Sequence, residues 1–343
     1  MKWMIYGAYG YTGELITHYA KRMGYSPVLA GRSKAKLESF AERVSLEARV
    51  FDLTESALKE HLQDIDLVVH CAGPFSVTAE PMMKACIATG THYLDITGEL
   101  EVFELAHSLR NEAEEAGVVL CPGVGFDVIP TDCIAARLKS QMPNATHLKL
   151  GFDSRSRMSR GTIKTSVQRL GEGGAVRKDS KIINVPLAYK TEEINFGDGK
   201  KLAMTIPWGD VSTAFYTTGV PNIEVYVPAS PKLVKRLKRL NHFRWFFRLN
   251  IVRNWLANKA NKQPAGPELK EREKHATWVW GEISNEHGDT IALREKVVNG
   301  YTLTSRGAVE LAIYVLRNQL KPGFYTPSRL YGAKLIDRFL AEK

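Results

Sequence analysis

Lys2-Trp3-Met4-Ile5-Tyr6 runs straight into Gly7-Ala8-Tyr9-Gly10-Tyr11-Thr12-Gly13, and the reading of this junction decides the fold. The first stretch is mostly apolar and reads as a strand, while Gly13–Met23 has the spacing of an amphipathic helix. Glycine accepts positive φ without strain and lets a backbone approach a pyrophosphate closely. The helix that follows then turns free N–H groups and its positive dipole end toward the anion. An ordinary tight turn is the simpler reading of a glycine cluster. Here, however, strand, loop and helix fall in the order that a dinucleotide site needs. Gly7, Tyr9, Gly10, Tyr11, Thr12 and Gly13 are therefore the first candidate cofactor residues.

Working outward, short apolar runs alternate with helical patterns. Strands are expected at Lys2–Tyr6, Pro27–Ala30, Ala48–Phe51, Asp66–Cys71, His92–Ile96 and Val118–Cys121. Helices are expected near Lys34–Val44, Glu55–Leu62, Ala79–Thr89 and Glu101–Ala116. Such alternation specifies an α/β protein with a doubly wound parallel sheet of the Rossmann type. The end of the second strand separates the cofactors. NAD sites usually place an acid there, about 20 residues past the glycines, to bind the ribose 2′-hydroxyl. This chain has Gly31-Arg32-Ser33-Lys34 and no acid between Glu14 and Glu38. Arg32 can fork onto a 2′-phosphate, with Ser33 and Lys36 as further donors, so NADP(H) is expected. Asp52 can accept from an adenine amino group or cap the helix beginning near Thr54. Ala72-Gly73-Pro74-Phe75 closes the fourth strand at the ligand-binding edge, and its small residues leave room for ribose and nicotinamide.

A chain of 343 residues is too long for one small core, and 44% apolar with 24% charged residues is ordinary for a soluble globular protein. The four cysteines are scattered without a C-x-x-C pair, which fits reduced thiols in a cytoplasmic protein. A strand beginning at residue 2 leaves no expected room for a cleavable leader. There is no apolar run of about 18 residues or more, so no spanning helix is expected. Past about residue 150 the pattern changes, and Leu202–Ile206, Ile223–Val227, Thr277–Ile283 and Thr290–Lys296 suggest an antiparallel sheet. Helices near Leu303–Leu320 and Pro327–Ala341 finish the chain.

Several segments together resemble the saccharopine dehydrogenase-like oxidoreductases. They are the glycine loop, Ala30–Ser33, Ala72–Phe75, Gly90–Glu99 and Pro122–Asp132. Pro322–Ile336 is similar to the C-terminus of the branch that includes trans-acting enoyl reductases. The resemblance implies an NADP-binding Rossmann domain over residues 1–135 and an α+β substrate or oligomerisation domain over 136–302. It also implies C-terminal helices over 303–343 that return to the first domain. The expected activity is an NADP(H)-dependent oxidoreductase, a reductase of a hydrophobic or lipid-linked substrate. A non-catalytic NADP-binding scaffold or redox sensor is the alternative.

Reduction needs a proton source beside the hydride acceptor. Asp95 and Glu99 leave the fifth strand on the ligand edge, and Asp127 lies in the glycine-rich loop after the sixth. Each has a structural alternative, as a helix cap for Glu99 or as a carboxylate bonded to local backbone for Asp127. Tyr93 and Tyr301 are further donors that can equally be core residues. No tyrosine is followed four positions later by lysine, which counts against the acid–base pair of short-chain dehydrogenases. The nine histidines form no H-E-x-x-H cluster and no metal is expected; no serine occupies a G-x-S-x-G elbow.

The net charge of +10 has one source. Residues 229–263 hold ten basic residues and no acid, and the remaining 37 basic residues match the 37 acidic ones. Leu233, Leu237 and Leu240 recur at helical spacing, followed by Phe243, Trp245, Phe246, Phe247, Ile251, Val252, Trp255 and Leu256. This composition suits an interfacial helix on an anionic membrane surface, peripheral on its inner face. A domain or homodimer interface is a second reading. Nucleic acid is a third and is not expected.

Overall fold

The computed structural model describes residues 1–169, 171–247, 249, 252, 255, 259 and 263–342. Two compact units are each assembled from separate stretches. One is Met1–Ile129 with Tyr301–Gly332, and the other is Pro130–Gly300 with the chain from Ala333 onward.

In the first unit, six strands follow the sequence reading: β1 (Trp3–Tyr6), β2 (Val28–Gly31), β3 (Ala48–Val50), β4 (Leu67–His70), β5 (His92–Asp95) and β6 (Val119–Cys121). A two-residue strand, Gly323–Phe324, pairs in parallel with β6 and makes a seventh. From that strand the order runs β6, β5, β4, β1, β2, β3. The chain therefore grows away from β1 in one direction and returns to grow in the other. β1 pairs in parallel with both β2 and β4, and the crevice at the carboxyl ends of β1 and β4 is the switch point where such sheets bind ligands. Every residue of β1, β2 and β4 is buried, as a sheet covered by helices on both faces requires.

The helices dock by apolar stripes. Tyr11–Arg22 buries Gly13, Ile16, Thr17 and Ala20, and Lys34–Val44 buries Leu37, Phe40, Ala41 and Val44. Fully burying a leucine or phenylalanine contributes roughly 1.5–3 kcal/mol. Packing therefore holds these short helices more than intrinsic propensity does. The long helix Gly300–Arg317 buries Leu303, Ala308, Leu311, Ala312 and Val315 in the same manner.

The last eleven residues correct the expectation that all of 303–343 packs on the first domain. The chain from Ala333 groups with the second unit, and the expected helix Pro327–Ala341 is a short α-helix, Pro327–Tyr331, then a 3-10 segment, Ala333–Phe339. The physical reason is its contacts: Leu335, Ile336 and Phe339 are buried, Val298 N–H donates to Phe339 O at 2.9 Å, and Ala341 N–H donates to Lys296 O at 2.8 Å. Gly332, at φ +103°, makes the turn between the two environments. The first boundary also falls earlier than expected, at Ile129 rather than 135.

The second unit is α+β, as expected: the segments Leu202–Ile206 and Ile223–Val227, and Thr277–Ile283 and Thr290–Lys296, fall in antiparallel pairs, but one further pairing makes the sheet mixed. Its order is Thr191–Asn195, Lys200–Thr205, Asn222–Pro228, His147–Asp153, Thr277–Ser284 and Thr290–Val297. Asn222–Pro228 runs parallel to His147–Asp153, because the long connection between them acts as a crossover. A hairpin, Gly174–Lys178 with Lys181–Val185, hangs on the same strand. Helix Ile129–Gln141 packs so tightly on the sheet that a β carbon at Gly281 would lie 2.6 Å from Ile134 and 2.8 Å from Leu138.

Candidate functional site

The glycine loop is pressed against the end of β4. Gly7 has φ +84°, and a β carbon there would stand 2.8 Å from Ala72 N and 2.9 Å from the Cys71 carbonyl carbon. At Gly13 the same atom would meet Gly7 O at 2.4 Å, so the first turn of helix Tyr11–Arg22 lies directly on the loop. Gly10 is under less pressure, with φ −77° and a nearest neighbour at 3.2 Å. It is the N-cap of that helix and carries no side chain to compete for the first-turn N–H groups. Tyr9, Gly10, Tyr11 and Thr12 remain half exposed. This backbone cradle fits a pyrophosphate.

Tyr9 ties the cradle to the end of β2. Its ring lies on Gly31, where a β carbon would be 2.6 Å from the ring edge, and its hydroxyl accepts from Ser33 N–H at 3.3 Å. Arg32 projects beside it, exposed and without an acidic partner among the described residues. Ser33 is the N-cap of helix Lys34–Val44, but its hydroxyl makes no cap hydrogen bond; Lys36 is exposed one turn on. Asp52 follows β3 and accepts from Thr54 N–H at 3.0 Å and Thr54 Oγ1–H at 2.7 Å. Its carboxylate closes a local turn onto Thr54, the N-cap of helix Glu55–Leu62, and those donors hold its pKa low.

Past β4, Ala72, Gly73, Pro74 and Phe75 lead into helix Phe75–Thr89, whose N-cap is Pro74. Proline offers no capping oxygen. Glu99 supplies one from elsewhere, accepting Phe75 N–H on Oε1 at 3.0 Å and Ser76 N–H on Oε2 at 2.8 Å. A carboxylate thus already occupies this helix N-terminus, which leaves the neighbouring glycine-capped one for a ligand anion. Asp95 is also engaged. It is fully buried and accepts from Thr97 N–H at 2.9 Å, Gly123 N–H at 2.8 Å and Tyr93 O–H at 2.7 Å. Burial pushes its pKa up to about 6 against the pull of those donors. Tyr93 is spent in the same knot, and Tyr301 packs edge-on against Tyr11 at 5.3 Å.

Asp127 lies in the loop after β6. Its carboxyl lies against the backbone of Gly98, where a β carbon would be 2.9 Å from Oδ2, and burial pushes its pKa up to about 7. The loop that carries it is pinned by Phe126 N–H donating to Thr304 Oγ1 at 3.0 Å. One residue escaped the sequence reading. His70, at the end of β4, is buried among Tyr6, Phe75 and Tyr93, with Nε2 3.0 Å from Thr78 Oγ1 and no partner for Nδ1 among the described residues. Burial lowers its pKa to about 3, so it is neutral. Its position in a run of buried valines, Leu67-Val68-Val69-His70, was the available signal.

Residues 3–121 match the family model described as the saccharopine dehydrogenase NADP binding domain. Over that stretch the first unit is similar to this domain. The match supports a nicotinamide cofactor for the first unit. A mouse saccharopine dehydrogenase-like oxidoreductase is 32% identical over 202 residues, 51% of this chain and 47% of that one. A Mycobacterium tuberculosis protein assigned as a trans-acting enoyl reductase is 30% identical over 138 residues, 38% of this chain and 33% of that one. The aligned stretch thus spans about half of the mouse protein and a third of the mycobacterial one. Saccharopine dehydrogenase of Saccharomyces cerevisiae, solved without cofactor, has a TM-score of 0.61 at 13% identity, covering 100% of this chain and 99% of its own. At that identity the likeness is one of fold.

Proposed function

We propose that this chain is an NADP(H)-dependent oxidoreductase that reduces a hydrophobic or lipid-linked substrate. The observation that carries the reading is the anion cradle at the switch point, with Arg32 standing unpaired one strand away. In this reading Gly7 and Gly10–Gly13 hold the pyrophosphate. Arg32, Ser33 and Lys36 hold the 2′-phosphate, and Ala72–Phe75 line the nicotinamide side. When bound, the dinucleotide supplies a hydride to an electrophilic carbon. Asp127 is the proton donor. Of the acids at the strand ends, Glu99 caps helix Phe75–Thr89, Asp95 accepts from Thr97 N–H, Gly123 N–H and Tyr93 O–H, and burial pushes the pKa of Asp127 highest, up to about 7, which favours it as the proton-holding group at neutral pH. The mycobacterial relative's name supports reduction of an enoyl group and, with it, an acyl substrate. Four unbridged cysteines support a reducing, cytoplasmic setting.

The engagement of Asp95 and Glu99 also favours a second reading, an NADP-binding scaffold or redox sensor without turnover. A screen of long-chain enoyl and carbonyl compounds, followed by loss of NADPH absorbance, separates the two. Turnover that fails in Gly10→Val supports the oxidoreductase. Saturable NADPH binding with no turnover across the screen supports the scaffold.

A further inference from the structure

Helix Pro231–Leu240 begins at Ser230, whose hydroxyl accepts Leu233 N–H, and it is anchored to the second unit by few residues. Val234 is its buried side chain and packs with Ala188 and Met204, while Leu237 joins the edge of that cluster. Everything else faces outward. Lys232, Lys235, Arg236, Lys238 and Arg239 are exposed, and among the described residues none has an acidic partner. Phe243 and Trp245 follow at 60% and 64% exposure, with Phe246 and Trp255 also exposed. Lys232, Lys235, Arg236, Arg239, Leu240 and Phe243 line a shallow groove. Arg244 belongs to the anchor instead, donating to Glu172 O at 3.1 Å. Arg248, Ile251, Arg253, Leu256 and Lys262 of the same segment lie outside the described residues.

Isolated exposed aromatics are unremarkable, but here they adjoin a line of unpaired cations in a chain that is otherwise charge-neutral. Apolar rings beside clustered cations match a layer with phosphate headgroups above and acyl chains below. Among the described residues no helix is long and apolar enough to cross a membrane. We propose that this element is a docking surface for an anionic lipid bilayer. Helix Pro231–Leu240 lies along the headgroup plane, its groove takes lipid phosphates, and Phe243, Trp245 and Phe246 insert into the acyl boundary. The proposal does not rest on the oxidoreductase reading.

The test is vesicle sedimentation of the whole protein, with phosphatidylcholine alone or with about a third phosphatidylserine. Binding to the anionic vesicles should be at least ~10-fold stronger than to neutral ones and should be lost in about 0.5 M salt. The variant K235E/R236E/K238E/R239E should lose at least ~10-fold in partitioning while keeping the wild-type circular dichroism spectrum and melting temperature, which shows that it is folded. The salt response of the wild type stands even where that variant does not fold. Equal binding to both vesicles, binding indifferent to salt, or an unaltered folded variant would each overturn the proposal. So would capture on duplex DNA, or a dimer abolished by the variant, when vesicles bind nothing.

Discussion

Asp127 shows how one side chain can be read from its surroundings. A carboxyl with an ordinary pKa near ~4 is ionised at neutral pH. Packed against Gly98 and half-buried, this one has its pKa pushed up to about 7. The folded protein therefore holds a proton that the unfolded chain releases between about pH 4 and 7. Its stabilising contribution is complete below about pH 4 and is lost as the pH rises through 7. Asp127→Asn cannot ionise. Thermal melts should thus show the variant gaining on wild type between pH 5 and pH 8, and the rate of any reduction should lose its decline above about pH 7. An identical difference in melting temperature at both pH values would mean that Asp127 is an ordinary exposed carboxylate. The neighbouring acids were legible only as types. That Asp95 and Glu99 end a strand on the ligand edge follows from the sequence. Their saturation does not, because the donors at Phe75 and Ser76 open another helix and the one at Gly123 lies in a loop, all distant in sequence.

At the scale of the element, the strand–loop–helix unit at the N-terminus was legible because each part follows from local chemistry. The two glycine positions with the tightest contacts and the one at the cap have different duties, and substitution should separate them. Gly13→Val forces a β carbon into Gly7 O and should unfold the turn, lowering the denaturation midpoint. Gly10→Val has a standard φ, and its β carbon would stand 3.2 Å from Gly7 O, a contact relieved by a shift of a few tenths of an ångström, so the fold should survive while a side chain crowds the anion seat. Calorimetry on the folded Gly10→Val protein should find NADPH binding weakened by at least ~100-fold, the cost of several charge-assisted hydrogen bonds. Wild-type affinity would make the loop structural only. Other elements were hidden for physical reasons. Thr191–Asn195 reads Thr-Glu-Glu-Ile-Asn, an edge strand with a single fully buried side chain and little periodicity. Gly323–Phe324 is too short to have any. The hairpin at Asp179-Ser180 left a missed signal, since both residues take positive φ in the two-residue turn that joins its strands.

For the whole molecule, the division of labour was legible and the routing was not. A parallel sheet followed by a second sheet emerges from the change in hydrophobic period near residue 150. Chain crossings such as Ala333 joining the second unit depend on which apolar face finds a partner, and sequence spacing is silent on that. The same holds for the parallel register of Asn222–Pro228 with His147–Asp153, fixed by pairing across a long connection. The central claim is cofactor recognition by the first unit, and it can be tested without knowing the substrate. Titration of the purified protein with NADPH and NADH, followed by nicotinamide fluorescence, should give one saturable site with NADPH at least ~10-fold tighter, a difference of about 1.4 kcal/mol. Arg32→Asp should erase that preference by setting a like charge against the 2′-phosphate. Equal affinity for the two cofactors in wild type, or a preference untouched by Arg32→Asp, would contradict the account.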